Sequence, residues 1–594
     1  MLVSAPLGSL RRLLPYLTRH WLPFWGGISG LLLARLFEAF IPLLLKQGID
    51  SIAAGSSALA LPVLGIAACA VARFLTIVVS RRRIRYLGIH VAYDLRKRVY
   101  DHLQRQGPGF FARHATGDLM ARAINDIQLV RQLVGQGTRT VLVLGFSAIV
   151  GLVFMFRLSP SLTLLLLPPL PLVGLSAYLL ARRIYAQSIA VQEGFSDLSE
   201  RTQENLNGIR TVQAQGQEAQ EVLRFGEVND GYADHYLELM RTNALLSSLM
   251  PALGAACTLA VLGFGAGRVL SGELSVGTFT AFFWYIGMVL WPVREAGNMV
   301  NLFQRGAAAA TRLFEVLDTE PEIADQPIPG APEKLSGAIR VEGLSYRHPG
   351  AAKDALHAVA FSVEPGETLA VVGPVGSGKS TLLRLLVRLL EPPPGAVRLD
   401  GYDIRELPLE LVRRHVAAVP QDPFLFAESL RENVAYEDPL RDERQVWRAV
   451  EDADLRGSVE SFPERLETLV GERGVTLSGG QKQRATLARG LIRRAPILLL
   501  DDCFSSVDTE TEKHILDRLR ELRGRATTVI VSHRVSTVRQ ADRILVLQHG
   551  RVTESGTHAE LIAKNGFYAA LERAQRRRGH LLHELEAASL EGHA

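Results

Sequence analysis

Six stretches of this chain, near residues 21–45, 59–80, 138–157, 160–181, 245–270 and 276–300, stay apolar over the roughly 20 residues that a helix needs to cross a bilayer. Hydrophobic residues make up 47% of the 594, high for a soluble enzyme of this size, so a membrane half joined to a soluble half is expected. A polar segment with Arg81, Arg82, Arg83, Arg85, Arg96, Lys97 and Arg98 separates the second and third stretches, and another, about 182–242, separates the fourth and fifth. The links after the first, third and fifth stretches are short and carry few lysines or arginines. The positive-inside rule then places both long segments and both termini in the cytoplasm. Residues 1–18 are read as an amphipathic elbow on the inner face, because the apolar stretch that follows is too long for a signal peptide and no small-residue cleavage site comes after it.

The long polar segments keep helical periodicity with few breakers besides Gly107-Pro108-Gly109, so the membrane helices are expected to run on into the cytoplasm and turn there. The formal charge of +5 fits arginines flanking membrane spans, and no basic stripe interleaved with aromatics suggests nucleic acid as a partner. Cys69, Cys257 and Cys503 lie far apart without metal-ligand spacing and read as small buried apolar residues.

From about Asp318 to Gly337 the chain is acidic and proline-rich, which suits a linker, and a soluble domain is expected from near Ile339. Within it, Thr368 to Val372 reads as a buried strand running into Gly373-Pro374-Val375-Gly376-Ser377-Gly378-Lys379-Ser380-Thr381 and then a leucine-rich helix. This is a P-loop in strand-loop-helix context. Its glycines let backbone N–H groups close around phosphate oxygens at a helix N-terminus. Lys379 is expected on the β- and γ-phosphates and the Ser380 hydroxyl on Mg²⁺.

A second strand, Ile497 to Leu500, delivers Asp501 to the sheet edge where open α/β folds bind ligands, as the acid on the Mg²⁺ side. The next position should polarise water for attack on the γ-phosphate. Asp502 stands there, one methylene short of a glutamate, about 1.5 Å at a C–C bond length. A misplacement of about 1 Å can cost on the order of 10²-fold in rate, so an impaired base is expected.

Between these strands, Leu477-Ser478-Gly479-Gly480-Gln481 precedes a helix expected from about Gln481 to Arg494. With this run the soluble domain resembles the nucleotide-binding domain of ATP-binding cassette (ABC) transporters. In that family the signature of one subunit contacts the γ-phosphate of ATP held by the other. The resemblance implies that Tyr346 stacks on adenine, that Gln421 lies in a Q-loop beside Mg²⁺, that Ser505 to Asp508 form the D-loop and that His533 is the switch histidine. It extends into the membrane half. There Phe110-Phe111, Gly117-Asp118-Leu119 and Asn125-Asp126 follow the first intracellular loop of exporter-type members, and Gly208 to Val212 with Glu218 follow the second.

The fold expected on this basis is a six-span α-helical transmembrane domain with long cytoplasmic helical extensions (residues 1–317), a linker (318–337), an α/β P-loop nucleotide-binding domain (338–572) and a C-terminal tail or helix (573–594). The expected activity is an ATPase coupled to export across a bacterial inner membrane, with ATP and Mg²⁺ as cofactors and amphipathic drugs, lipids or peptides as substrates. The altered Walker B position beside an intact signature resembles one subunit of heterodimeric multidrug exporters, whose partner carries the glutamate. A weakly active homodimer and an ATP-gated channel or regulatory membrane subunit are the alternatives. For the substrate, Arg35, Glu38, Arg73, Arg294 and Glu295, with Asn298, Asn301 and Gln304, read equally as cavity groups and as helix-to-helix pairs. The tail from Arg576 through Leu590 reads as a partner-clasping helix or a polar end.

Overall fold

The computed structural model describes residues 5–57, 59–166, 168–323, 325, 328–471, 477–521 and 526–577, with only the backbone at 5–7, 169–173, 177, 292–294, 296–298, 300 and 301. The side chains of Arg294, Asn298 and Asn301 and the tail from 578 onward therefore lie outside the described residues. The chain divides into two compact units, one of residues 1–104 and 116–319 and the other of 105–115 and 320–594.

The described residues of the first unit form helices and the turns between them. Among the described residues four helices, Trp21–Ala53, Ala60–Arg105, Thr116–Leu158 and Glu218–Leu270, are long and apolar enough to cross a membrane, and Val276–Trp291 is a shorter apolar stretch. Ala60–Arg105 has 46 residues and Glu218–Leu270 has 53, so at 1.5 Å per residue they run about 69 and 80 Å, well over twice a bilayer's apolar core. The expected fourth span differs. Its helix Pro160–Leu166 ends before Pro168, and Pro169–Asn207 begins after it, because two successive prolines lack the N–H groups that would continue the ladder.

Phe282 and Tyr285 of the helix Val276–Asp318 are fully buried against Ala39, Met155 and Val261, and the Tyr285 hydroxyl donates to the Ala39 carbonyl. That helix starts where Ser275 caps it, its Oγ accepting from Thr278 N at 3.0 Å. Asp50 fixes this end by accepting from Gly277 N and from Ser275 Oγ, both at 2.9 Å. Between Thr116 and Leu158 the helix widens into two π-helical turns, Arg122–Asp126 and Leu133–Gly137. The first carries the buried Asp126, which receives a bidentate pair from Arg312.

Among its described residues the second unit contains ten strands: β1 (Ile339–Tyr346), β2 (Leu356–Val363), β3 (Thr368–Val372), β4 (Val397–Leu399), β5 (Tyr402–Asp403), β6 (Val416–Val419), β7 (Ile497–Asp501), β8 (Thr527–Val531), β9 (Arg543–Gln548) and β10 (Arg551–Gly556). Six form a sheet in the order β10-β9-β3-β8-β7-β6, parallel except for the β9–β10 pair, and four form an antiparallel sheet β2-β1-β4-β5. β3 is buried at every position and β7 at all but its last, as central strands covered on both faces require. The short helix Pro108–Arg113 belongs to this unit. Gly109 N and Arg113 Nη2 both donate to the Glu322 carboxylate, at 3.0 and 2.9 Å, and Phe110 is fully buried beneath them.

Candidate functional site

The sheet order explains how one site forms from distant segments. β3, β8, β7 and β6 lie side by side and parallel, so their C-terminal ends deliver, in order, the P-loop, His533, Asp501 with Asp502, and Gln421 to one edge. These residues line one cavity of about 410 Å³, which also takes in His348.

Gly376 and Gly378 hold φ of +81° and +100°, values that favour glycine. At Gly378 an added Cβ would also lie 2.5 Å from the Ala355 carbonyl oxygen. This conformation turns the chain into the helix Lys379–Leu386, whose leucines Leu382, Leu383, Leu385 and Leu386 are buried. Lys379 Nζ folds back on its own loop, donating to the carbonyls of Gly373 and Pro374 at 2.9 Å each. Burial pulls the Lys379 ammonium below its ordinary value, against the opposing pull of Asp501 and Asp502. Phosphate oxygens would supply that ammonium with a counter-charge.

Ser380 Oγ donates to Asp501 Oδ1 at 3.2 Å. Burial holds the Asp501 carboxyl above its ordinary range, offset in part by that hydrogen bond. A hydroxyl, a carboxylate and the Gln421 amide on one wall form an all-oxygen donor set, and this fits Mg²⁺. Asp502 adopts a left-handed φ of +45°, and both its oxygens lie within reach of His533 Nδ1, at 2.9 and 3.0 Å.

Thr381 meets His348, its Oγ1 3.2 Å from Nε2. Tyr346 does not line the cavity. It packs edge-on against His348 at 5.2 Å between ring centroids, one residue removed from the wall. His348 was not singled out from the sequence; its one signal was its place two residues after Tyr346.

Ser478, Gly479, Gly480 and Gln481 lie outside this cavity. They open a helix that runs Gly479–Leu491, starting earlier than expected because Ser478 caps it. Ser478 Oγ accepts from Gln481 N and Gln481 Oε1 accepts from Ser478 N at 2.9 Å, a reciprocal capping box. The buried Gln483 ties this helix to the D-loop, donating to Ser505 Oγ at 2.7 Å and accepting from Ser506 N at 2.8 Å.

Comparison with known proteins is consistent with this geometry. Residues 24–293 match the family model for the ABC transporter transmembrane region, and 356–505 match that for ABC transporter. A probable multidrug resistance ABC transporter ATP-binding/permease protein, YheI of Bacillus subtilis (strain 168), is 34% identical over 94% of this chain and 96% of its own length. The chain belongs to the ABC transporter family. An ATP-dependent lipid A-core flippase of Aromatoleum aromaticum (strain DSM 19018 / LMG 30748 / EbN1) is 35% identical over 82% of this ABC transporter and 81% of the flippase. Among solved structures, a bacterial Atm1-family ABC exporter with ATP bound superposes with a TM-score of 0.78 at 26% identity, covering 94% of this chain and 99% of that one. The transporter thus combines a helical membrane domain with an α/β nucleotide-binding domain, and it is an ATPase coupled to transport across a membrane.

Proposed function

We propose that this chain is one half of an exporter that moves amphipathic drugs, lipids or peptides out of a bacterial inner membrane, with both termini cytoplasmic. Its partner is a different half-transporter with a glutamate after the Walker B aspartate. The observation that carries this reading is the Asp502 carboxylate, shorter than glutamate and engaged through both oxygens by His533 at the wall of the P-loop cavity. In this reading residues 1–317 form the membrane domain, 318–337 the linker and 338–572 the nucleotide-binding domain, in which an adenine reaching beyond the cavity wall would stack on Tyr346.

Each residue then has a role. Lys379 and the backbone of Gly373, Gly376, Ser377, Gly378 and Thr381 would bind phosphate; Ser380, Asp501 and Gln421 would hold Mg²⁺, which would supply positive charge against that of the phosphates. Asp502, too short to set an attacking water well, slows hydrolysis in this chain's own site. Ser478, Gly479, Gly480 and Gln481, already held by a complete capping box, reach across to finish the partner's site. Nucleotide binding can shift the inward-facing and outward-facing states only by its differential affinity for the two.

One observation favours a second reading. His533 is retained within hydrogen-bonding distance of Asp502, so a slow homodimer in which this pair serves as the base keeps its machinery.

Inverted membrane vesicles test the transport reading. ATP should drive accumulation of a fluorescent amphipathic dye, and Lys379→Ala should abolish it. An ATP-gated ion conductance without accumulation would replace the exporter by a channel.

A further inference from the structure

The residues between β8 and the short helix Val535–Val538 are Ser532, His533 and Arg534, and they carry the histidine that meets Asp502. The His533 side chain is 58% exposed, so its position is set by the backbone beneath it and not by packing around the ring. Ser532 is buried, its Oγ donating to Thr537 Oγ1 at 3.2 Å and accepting from Arg534 N at 3.0 Å. Arg534 donates to the buried Glu512 carboxylate at 2.6 Å and to the carbonyls of Ser505 and Val507 at 3.1 and 3.0 Å. Val535 N opens the helix, where the first N–H groups have no intrahelical partner. Arg534 stands at the cap position, and a guanidinium has no acceptor to offer that N–H.

Gln575 supplies the acceptor from 40 residues away. Its Oε1 accepts from Val535 N at 2.9 Å, and its Nε2 donates to the His533 carbonyl at 2.6 Å. One side-chain amide thus pairs with the backbone on both sides of Arg534, as a paired strand exchanges two bonds with its neighbour. The reach is built into the chain. Residues 567–577 are helical, and Tyr568 is fully buried in the cluster that also holds Val535 and Val538, with Leu571 packed against it. Tyr568, Leu571 and Gln575 stand at i, i+3 and i+7, so the face that Tyr568 anchors carries Gln575 to the loop. The Tyr568 hydroxyl lies 2.8 Å from His558 Nδ1, and Phe567 N donates to Glu554 at 2.5 Å, which fixes the start of this helix.

From this we infer that Gln575 is a positioning residue of the ATPase: its amide holds the loop after β8 so that His533 stays against Asp502 on the wall of the nucleotide cavity. The helical segment 567–577 is thereby tied to the site as well as to the core. The inference rests on the reading that His533 acts in hydrolysis.

Gln575→Met tests it, because methionine is close to glutamine in length and volume and removes both hydrogen bonds. In the full chain in nanodiscs, hydrogen–deuterium exchange should speed up about tenfold at the Val535 amide, the worth of two such bonds, and stay unchanged in the P-loop. Turnover is read in the Asp502→Glu background. There Gln575→Met should lower kcat about tenfold and leave the KM for ATP within about twofold, the mark of a group that acts on the reaction and not on nucleotide binding. His533→Ala should be at least as slow, and Gln575→Met added to it should cost less than about twofold more, because the amide acts through the histidine. Fluorescent ATP should bind all variants alike as the check on folding. Unchanged exchange at Val535, unchanged kcat, a loss that falls on KM instead, or a full further loss on top of His533→Ala would each overturn the inference. Full turnover after His533→Ala would refute the role read for that histidine and with it Gln575's part in hydrolysis. The exchange measurement needs no turnover, so it decides whether the amide holds the loop even if the Asp502→Glu chain is slow.

Discussion

Replacing Asn433 with alanine removes the side chain that organises the segment after the glutamine loop, and its cost can be worked from the contacts. Asn433 is 1% exposed. Its Oδ1 accepts from Phe426 N at 2.8 Å and from Arg489 Nη2 at 2.7 Å, and its Nδ2 donates to the Phe426 carbonyl at 3.0 Å. The bond to Glu428 O is longer, 3.4 Å, and the one to Ser429 O, at 3.0 Å, goes to a carbonyl that already accepts from Asn433 N within the helix, so these two add little. Arg489 keeps its bonds to the carbonyls of Asn433 and Phe424. Two neutral bonds at about 1 kcal/mol and one charged bond at about 1.5–3 kcal/mol give a loss of about 3.5 to 5 kcal/mol. For a domain of this size, that lowers the melting transition by about 10 °C. Differential scanning calorimetry of the full chain in detergent should show the soluble domain's transition shifted by that amount, with fluorescent ATP still bound below it. A transition within about 2 °C of the natural chain's would refute the reasoning, because it would mean that these buried bonds are replaced by others on truncation.

Other substitutions probe the two units separately. Gly378→Ala forces a left-handed residue costing about 1–2 kcal/mol and sets its Cβ against the Ala355 carbonyl, so fluorescent ATP affinity should fall by about tenfold or more. The pH dependence of ATP affinity has a definite sign. Burial lowers Lys379 from its ordinary 10.5 in the empty site and phosphate raises it in the filled one, so affinity is full below the empty-site value and is lost as pH rises through that window. Titration from neutral pH upward should show the decline beginning below 10.5, and Lys379→Arg, which keeps its charge, should flatten it. Asp126→Asn should destabilise the helical unit by about 2 kcal/mol, because it weakens a buried bidentate pair whose other half, Arg312, is half-exposed. Arg312→Gln added to it should cost little more, a non-additivity that thermal unfolding of the four variants would detect.

Much of the nucleotide site was legible in the sequence because its chemistry is local. The strand Thr368–Val372 is legible to the residue from a threonine and four apolar residues running into glycines. The β7 strand carries Asp501 as its last residue, one beyond the expected end. The helix expected from about Gln481 to Arg494 instead starts at Gly479 behind its cap, Ser478, and ends by Leu491, ahead of Arg494 with its φ of +48°. What could not be read was contact across the sheet. The meeting of His533 with Asp502 depends on β8 lying between β3 and β7, and no spacing in the chain encodes that order. In the membrane half, charge alone left Glu38 ambiguous, and only the packing of two helices shows Arg35 and Arg73 both spent on it.

Whether Asp502 is a poor base is decided by ATP turnover of this chain purified alone in lipid, beside Asp502→Glu. The account predicts near-zero turnover for the natural chain, raised on the order of 10²-fold when the missing methylene is restored. Brisk turnover by the natural chain, unchanged by the glutamate, would contradict it and make a working homodimer the better description.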